Sequence, residues 1–306
     1  MENKRLRANM LLLLTATIWG FAFVAQRLGS QYVGAFTFNG IRFALGSLSL
    51  IPLIIYFDKR KKTDNSTYSN IGINTKKSIL PGVIVGIVLY VAAALQQIGL
   101  IYTTAGKASF ITGLYMVFVP IIGIFLKHKI GKNSWAGVMI AAVGLYLLSI
   151  NENFSIGYGD LLEVIGAIFW AVHILTIDYF SNKMESLKLS CIQFATCSVL
   201  SLITALIFEH ITISAISQAL TPILYGGLLS VGVAYTLQVV AQKNAKPSHA
   251  AIILSTESVF GAIGGALILG ESMSTRGYVG CALILGGILV SQIKFFPKTI
   301  KKDEVL

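Results

Sequence analysis

Charge is what this chain has least of. Only 12% of its 306 residues are Asp, Glu, Lys or Arg, and the mean hydropathy is +0.76. A water-soluble chain carries about a quarter charged residues, so a soluble domain is excluded. Acidic residues are scarcest, 13 against 24 basic ones. The three cysteines, Cys191, Cys197 and Cys281, have no metal-ligand spacing and cannot build a disulfide framework; they read as small apolar packing residues. There is no Gly-x-x-x-x-Gly-Lys phosphate loop, no His-Glu-x-x-His zinc site and no Gly-x-Ser-x-Gly elbow. Nucleotide-driven pumping by this chain alone is therefore not expected. The apolar segments offer no adjacent carboxylates for a membrane enzyme, and no loop is long enough to fold as a domain.

What fills the chain is apolar segments of membrane-spanning length. Ten are read at residues 9–27, 34–57, 79–100, 103–126, 134–150, 160–180, 189–208, 221–241, 248–269 and 277–293. Helix is the expected conformation, because lipid leaves no partner for the backbone of an isolated strand. The first apolar run continues to Val24 without a small-residue cleavage site and is read as a span, not a signal peptide. Glycines spaced for close helix approach recur at Gly82 and Gly86, and at Gly261 and Gly265. Pro120 falls in the middle of the fourth segment and is expected to bend it.

The positive charge is placed, not spread. Lys and Arg gather before the first segment, in 58–78, 127–133, 181–188 and 242–247, and after the last. Arg27, Lys107 and Arg276 fall on the other side, and Arg42 alone lies well inside a segment. This asymmetry is the positive-inside pattern, with both termini expected in the cytoplasm, and it replaces nucleic acid as the reading of the +11 net charge. The tract 59–74 reads as a polar cytoplasmic loop.

The chain also repeats itself. Trp19 matches Trp170, and Arg42-Phe43-Ala44 matches Gln193-Phe194-Ala195, at a shift of 151 residues. Gln96 matches Gln238, Phe118 matches Phe260, and Gly106-Lys107 faces Ser248-His249, at a shift of 142. Residues 1–150 and 151–306 are thus two copies of a five-segment unit, and an odd number of crossings turns the second copy upside down. The expected fold is an all-α polytopic membrane protein, ten helices in two inverted five-helix repeats. Inverted repeats let carriers present one central site to either face of a membrane.

Polar groups inside the segments are the functional candidates, since an ionised group at mid-bilayer costs at least about 2.5–3.5 kcal/mol unless partnered. Glu257, near the middle of the ninth segment, reads as a substrate-amine contact or proton site, or alternatively as the ion-pair partner of Arg42. Arg42 leans towards a structural pair, because its repeat equivalent is neutral Gln193. His173 reads as a hydrogen-bonded core histidine or as a substrate contact. Gln96 and Gln238 are expected to converge on the pseudo-two-fold axis, with Gln97, Tyr90, Tyr115 and Tyr235 as further contacts or as interhelical glue. Trp19 and Trp170 lie too deep for an interfacial belt and read as core packing or cavity wall. Lys107 is placed to reach water near a helix end.

The chain resembles the EamA branch of the drug/metabolite transporter superfamily. The resemblance rests on an ordered set of stretches. Residues 14–25 (LTATIWGFAFVA), Ile41-Arg42-Phe43, 104–120 (TAGKASFITGLYMVFVP) and 135–149 (WAGVMIAAVGLYLLS) carry it in the first half. In the second half it rests on 159–174 (GDLLEVIGAIFWAVHI), 235–260 (YTLQVVAQKNAKPSHAAIILSTESVF) and 269–289 (LGESMSTRGYVGCALILGGIL). The resemblance implies a ten-helix carrier in the cell membrane with both termini inside. Its cavity would lie at the bilayer centre, lined mainly by helices 1, 3, 4, 6, 8 and 9. Such a carrier moves small metabolites, often exporting amino acids or related compounds, without ATP hydrolysis and with no cofactor beyond possible proton coupling. Two departures stand out. The family's Glu-Pro is here Glu257-Ser258, which removes an expected kink, and Lys127-His128-Lys129 stands where an acidic residue often ends the fourth span, whereas Glu271 matches it in the second half. The expected partners are a small metabolite and the lipid bilayer, not nucleic acid; the sequence assigns no oligomeric state. An uptake permease of the same fold is the alternative, ahead of a membrane sensor or a lipid-processing enzyme.

Overall fold

The computed structural model describes residues 2–63, 75–125, 132–149 and 156–292. The basic cluster 127–129, most of the 59–74 tract and the chain beyond Gln292 lie outside them. Helix accounts for nearly everything described, and no β-sheet forms among these residues. In chain order the helices are α1 (Glu2–Gly29), α2 (Ala35–Thr63), α3 (Thr75–Tyr102), α4 (Ala105–Thr112), α5 (Tyr115–Phe125), α6 (Lys132–Ser149) and α7 (Tyr158–Ser181). They continue as α8 (Ser186–Phe208), α9 (Ile213–Gln218), α10 (Leu220–Leu224), a π-helical stretch Tyr225–Tyr235, α11 (Thr236–Gln242), α12 (Pro247–Leu254), α13 (Glu257–Leu269) and α14 (Thr275–Gln292). Eight helical rods are long and apolar enough to cross a membrane, counting α4–α5, α10–α11 and α12–α13 as single rods. Two shorter helices, α6 and α14, pack on each other through glycines. A Cβ at Gly144 would lie 2.6 Å from the Gly280 carbonyl oxygen, and one at Gly287 would lie 2.5 Å from that of Gly137.

The packing follows the sequence duplication. α2 lies on α8, α3 on α7 and α8, and α1 and α4 on α13. α1 and α2 both pack on the π-helical stretch. Exchanging each helix of one half for its equivalent in the other returns these contacts, with α5 on α7 and on α12 as the counterparts of α1 and α4 on α13. α1 finishes where α7 begins: Arg27 near the end of α1 donates to the carbonyls of Leu100 and Ile101 (2.7 and 3.0 Å), and Asp160 in the first turn of α7 accepts from Thr103 just after α3 (2.6 Å). α1 and α7, matched through Trp19 and Trp170, therefore run in opposite directions along the bundle.

At that same end two glutamates fasten neighbouring helices. Glu209, just after α8, accepts from the amides of Phe36 and Thr37 in the first turn of α2 at 2.8 and 2.7 Å. Glu271, after α13, accepts from the Ala105 and Gly106 amides opening α4 at 2.8 and 2.9 Å. A helix start has unsatisfied N–H groups and a partial positive charge, so each carboxylate meets both needs. Replacing Glu209 or Glu271 with Ala is expected to lower stability by about 1 kcal/mol each, the usual cost of a lost helix cap. Thermal unfolding of the purified protein in detergent reads this out, and unchanged midpoints in both variants would refute the capping role.

Two rods are interrupted at mid-length, in the same register. Between α4 and α5 the amides of Leu114, Met116 and Val117 bond three residues back, to Ile111, Gly113 and Leu114. Between α12 and α13 the amides of Thr256, Ser258 and Val259 do the same, to Ile253, Ser255 and Thr256. Every one of these pairs is related by the shift of 142 residues. The kink expected to be missing from the ninth span is therefore present. It needs no proline, because the hydroxyls of Ser255, Thr256 and Ser258 bond to carbonyls three residues back, at Ile252, Ile253 and Ser255, and compete with the regular ladder. Pro120 lies within α5, away from the break.

Candidate functional site

The interruptions in the two rods meet at a cavity in the middle of the bundle, with an empty volume of about 410 Å³ including its mouth. α1 contributes Trp19 and Gln26, α2 Arg42, α3 Gln96, and α4–α5 Thr112 and Tyr115. From the second half come Trp170 on α7, Ser230 and Tyr235 on the π-helical stretch, Gln238 on α11 and Glu257 at the start of α13. Each half supplies an interrupted helix, a tryptophan and a glutamine from matched positions. Tyr115 and Glu257, equivalent at the shift of 142, each open the second segment of an interrupted rod.

Aromatic rings form one wall. The Tyr235 ring is 4.4 Å from that of Trp19, 6.1 Å from Trp170 and 6.0 Å from Phe43, centroid to centroid. The Trp19 indole N–H donates to the Ser230 carbonyl at 3.3 Å. That carbonyl lies in the π-helical stretch, where wider winding withdraws backbone groups from the ordinary ladder; such stretches recur at functional sites. The Trp170 indole N–H is buried without a partner.

Polar groups are held more loosely. Gln96 donates to the side-chain oxygen of Gln26 at 3.0 Å, while the side-chain oxygen of Gln238 is buried with no partner. Glu257 is 3% exposed, and the Tyr115 hydroxyl faces its carboxyl without completing a hydrogen bond. Arg42 is not ion-paired to Glu257; among the described residues it has no acidic partner at all. Its Nε donates to Asn39 at 3.0 Å, and its Nη2 is buried and unpartnered.

Three expected site residues lie elsewhere. His173 sits behind the aromatic wall, Nε2 bonded to Gln193 at 3.0 Å and its ring edge-on to Trp170 and Tyr235. Gln97 ties α3 to α1 by donating to the Gln26 carbonyl (3.1 Å) and the Ser30 hydroxyl (2.9 Å). Tyr90 ties α3 to α8 through the Thr204 hydroxyl at 2.7 Å. Lys107 pairs with Asp160 at 2.5 Å. Gln26, Thr112 and Ser230 were not anticipated. Neither was Glu163, fully buried on α7, which accepts from Thr112 at 2.9 Å and leaves its other oxygen without a partner. Its signal is visible in the sequence as a carboxylate one turn inside the sixth segment, 160–180. Among the described residues no three His, Cys, Asp or Glu side chains come together to hold a metal.

The arrangement sets an aromatic wall against converging polar groups, among them Gln26, Arg42, Gln96, Gln238 and Glu257, around one cavity. A solved crystal structure matches with a TM-score of 0.69 at 17% identity, covering 93% of this chain and 95% of the other, which shows a shared fold. A protein of Archaeoglobus fulgidus described as an uncharacterized transporter is 30% identical over 292 residues, 95% of this chain and 87% of its own length. The uncharacterized transporter YoaV of Bacillus subtilis is 24% identical over 92% of this chain and 96% of its own. The EamA-like transporter family model matches twice, at residues 6–150 and again at 157–292. A doubled family match on a doubled helical architecture makes this chain a multi-pass membrane protein that belongs to the EamA-like transporter family.

Proposed function

We propose that this chain is a secondary transporter that exports a small metabolite across the cell membrane by alternating access, with no covalent chemistry. The observation that carries the reading is the pair of interrupted rods, broken in the same register and placing Tyr115 and Glu257 on one cavity. Transporters built from inverted repeats use broken helices this way, because an unwound turn frees backbone groups for cargo and serves as a hinge. The opposite running of α1 and α7 supports an inverted repeat. The packing of α6 on α14 supports counting them as a fifth crossing in each half, ten in all. Basic residues concentrated on one side support cytoplasmic termini.

Cargo would enter from one face, displace water against the Trp19, Trp170 and Tyr235 rings, and leave when the two sets of helices rock about the breaks. Energy would come from the cargo gradient or from protons carried by Glu257. Counterflow of radiolabelled amino acids and related metabolites into proteoliposomes tests the reading. Exchange that disappears on Trp19→Ala is the expected result. A chain that exchanges nothing, in membranes where it is folded, would overturn it. Accessibility of tags at the two termini tests orientation: labelling of either from outside the cell contradicts the proposed topology.

A further inference from the structure

We propose that Arg42 is the anion-binding group of the cavity, and that the cargo therefore carries a carboxylate. The inference deepens the transporter reading and rests on it. Arg42 is 1% exposed and lines the cavity. Buried charges in proteins are paired, and arginine inside a membrane span pairs with acids or backbone carbonyls. Arg42 does neither among the described residues. The ion pairs there use Lys107 and Lys188, and the cavity's one carboxyl, Glu257, is turned to Tyr115.

What surrounds the guanidinium orients it without satisfying it. Nε is bonded to the Asn39 side-chain oxygen, and Asn39 is itself fixed by donating to the Ala93 carbonyl at 3.0 Å. Phe38 and Phe43 lie 5.4 and 5.0 Å from its central carbon, centroid to carbon. Ring faces attract a cation but accept no N–H in its plane, so Nη2 stays orphaned. A planar fork of donors, held on three sides with its outer Nη2 buried and unpartnered, is complementary to a carboxylate. Gly226 keeps the approach tight, since a Cβ there would stand 3.3 Å from the Arg42 Cδ. The missing half of the ion pair is supplied by the cargo.

Two measurements on the purified full-length protein in detergent decide this, and neither needs transport. In the ligand-free protein, Arg42→Gln removes an uncompensated buried cation, so its thermal midpoint is expected to rise by a few degrees. A lower midpoint would mean that Arg42 serves the fold, and would overturn the proposal. Second, acetate is expected to raise the wild-type midpoint well above equal concentrations of acetamide or chloride, with the difference lost in Arg42→Gln and reduced in Arg42→Lys. Equal effects of acetate on wild type and Arg42→Gln would overturn the proposal, as would stabilisation by inorganic phosphate alone. A transporter of uncharged cargo would fail these tests and still exchange its substrate. A protein that exchanged nothing would fail the counterflow experiment whatever acetate did.

Discussion

Replacing Glu257 with Gln is expected to remove the pH dependence of transport and to lower its rate ten- to a hundred-fold, roughly what loss of a charged hydrogen-bonding group of 1.5–3 kcal/mol implies. The carboxyl is 3% exposed, at the first residue of α13, halfway along a rod that crosses the membrane. No cation pairs with it among the described residues, so its charge is tolerable only when cargo, water or a proton attends it. One feature suits it to exchanging partners as the cavity opens: the Tyr115 hydroxyl faces the carboxyl and can bond either form. Gln keeps the shape and the hydrogen bonding but cannot release a proton. Glu257→Asp should retain pH dependence at a reduced rate. Initial rates in proteoliposomes at several pH values check this; identical profiles for wild type and Glu257→Gln would remove Glu257 from any coupling role.

The largest loss of stability is expected at Gly20, where α1 crosses α13. A Cβ at Gly20 would sit 2.7 Å from the Glu257 carbonyl oxygen and 2.9 Å from the Gly261 amide nitrogen, and would also strike the Phe260 Cβ. Two of these are backbone atoms that cannot turn aside. Gly20→Leu must therefore separate the helices and, with them, one wall of the cavity. Overpacking in a close-packed interior costs about 1–3 kcal/mol, occasionally more, and here the backbone contacts place the cost at the upper end. Gly286 is the contrast, because a Cβ there would meet nothing within 4 Å. Gly286→Ala should be neutral or gain about 0.5–1 kcal/mol from helix propensity. Thermal unfolding of both variants in detergent compares them; similar midpoints would show that α1 and α13 do not depend on this contact.

Much of the site was legible because membrane solvation is strict. Few polar side chains survive inside apolar segments, and those that do stand out. Trp19, Arg42, Gln96, Tyr115, Trp170, Tyr235, Gln238 and Glu257 were all visible this way, and all line the cavity. The same filter also collected His173, Gln97 and Tyr90, which bond neighbouring helices outside it. A polar residue in lipid needs a partner, and composition does not say whether that partner is another helix or a ligand. Gln26 escaped notice because it lies near the end of its span, where polarity is unremarked.

Helix content, the duplication and its two offsets are properties of the sequence itself, because residue spacing and hydropathy act locally and along the chain. The 142-residue offset even aligns the two helix interruptions, although the interruption itself could not be foreseen from Glu257-Ser258 without its proline. Serine and threonine hydroxyls achieve it through local bonds whose choice depends on the surrounding packing. The π-helical winding at Tyr225–Tyr235, the seating of Glu209 and Glu271 on helix starts far along the chain, and above all the isolation of Arg42 were decided only by tertiary structure. Each depends on which group meets which across more than a hundred residues of chain or between helices. An ion pair between Arg42 and Glu257 was chemically reasonable from the letters alone; three-dimensional packing turned the carboxyl towards Tyr115 and left the Arg42 Nη2 without a partner.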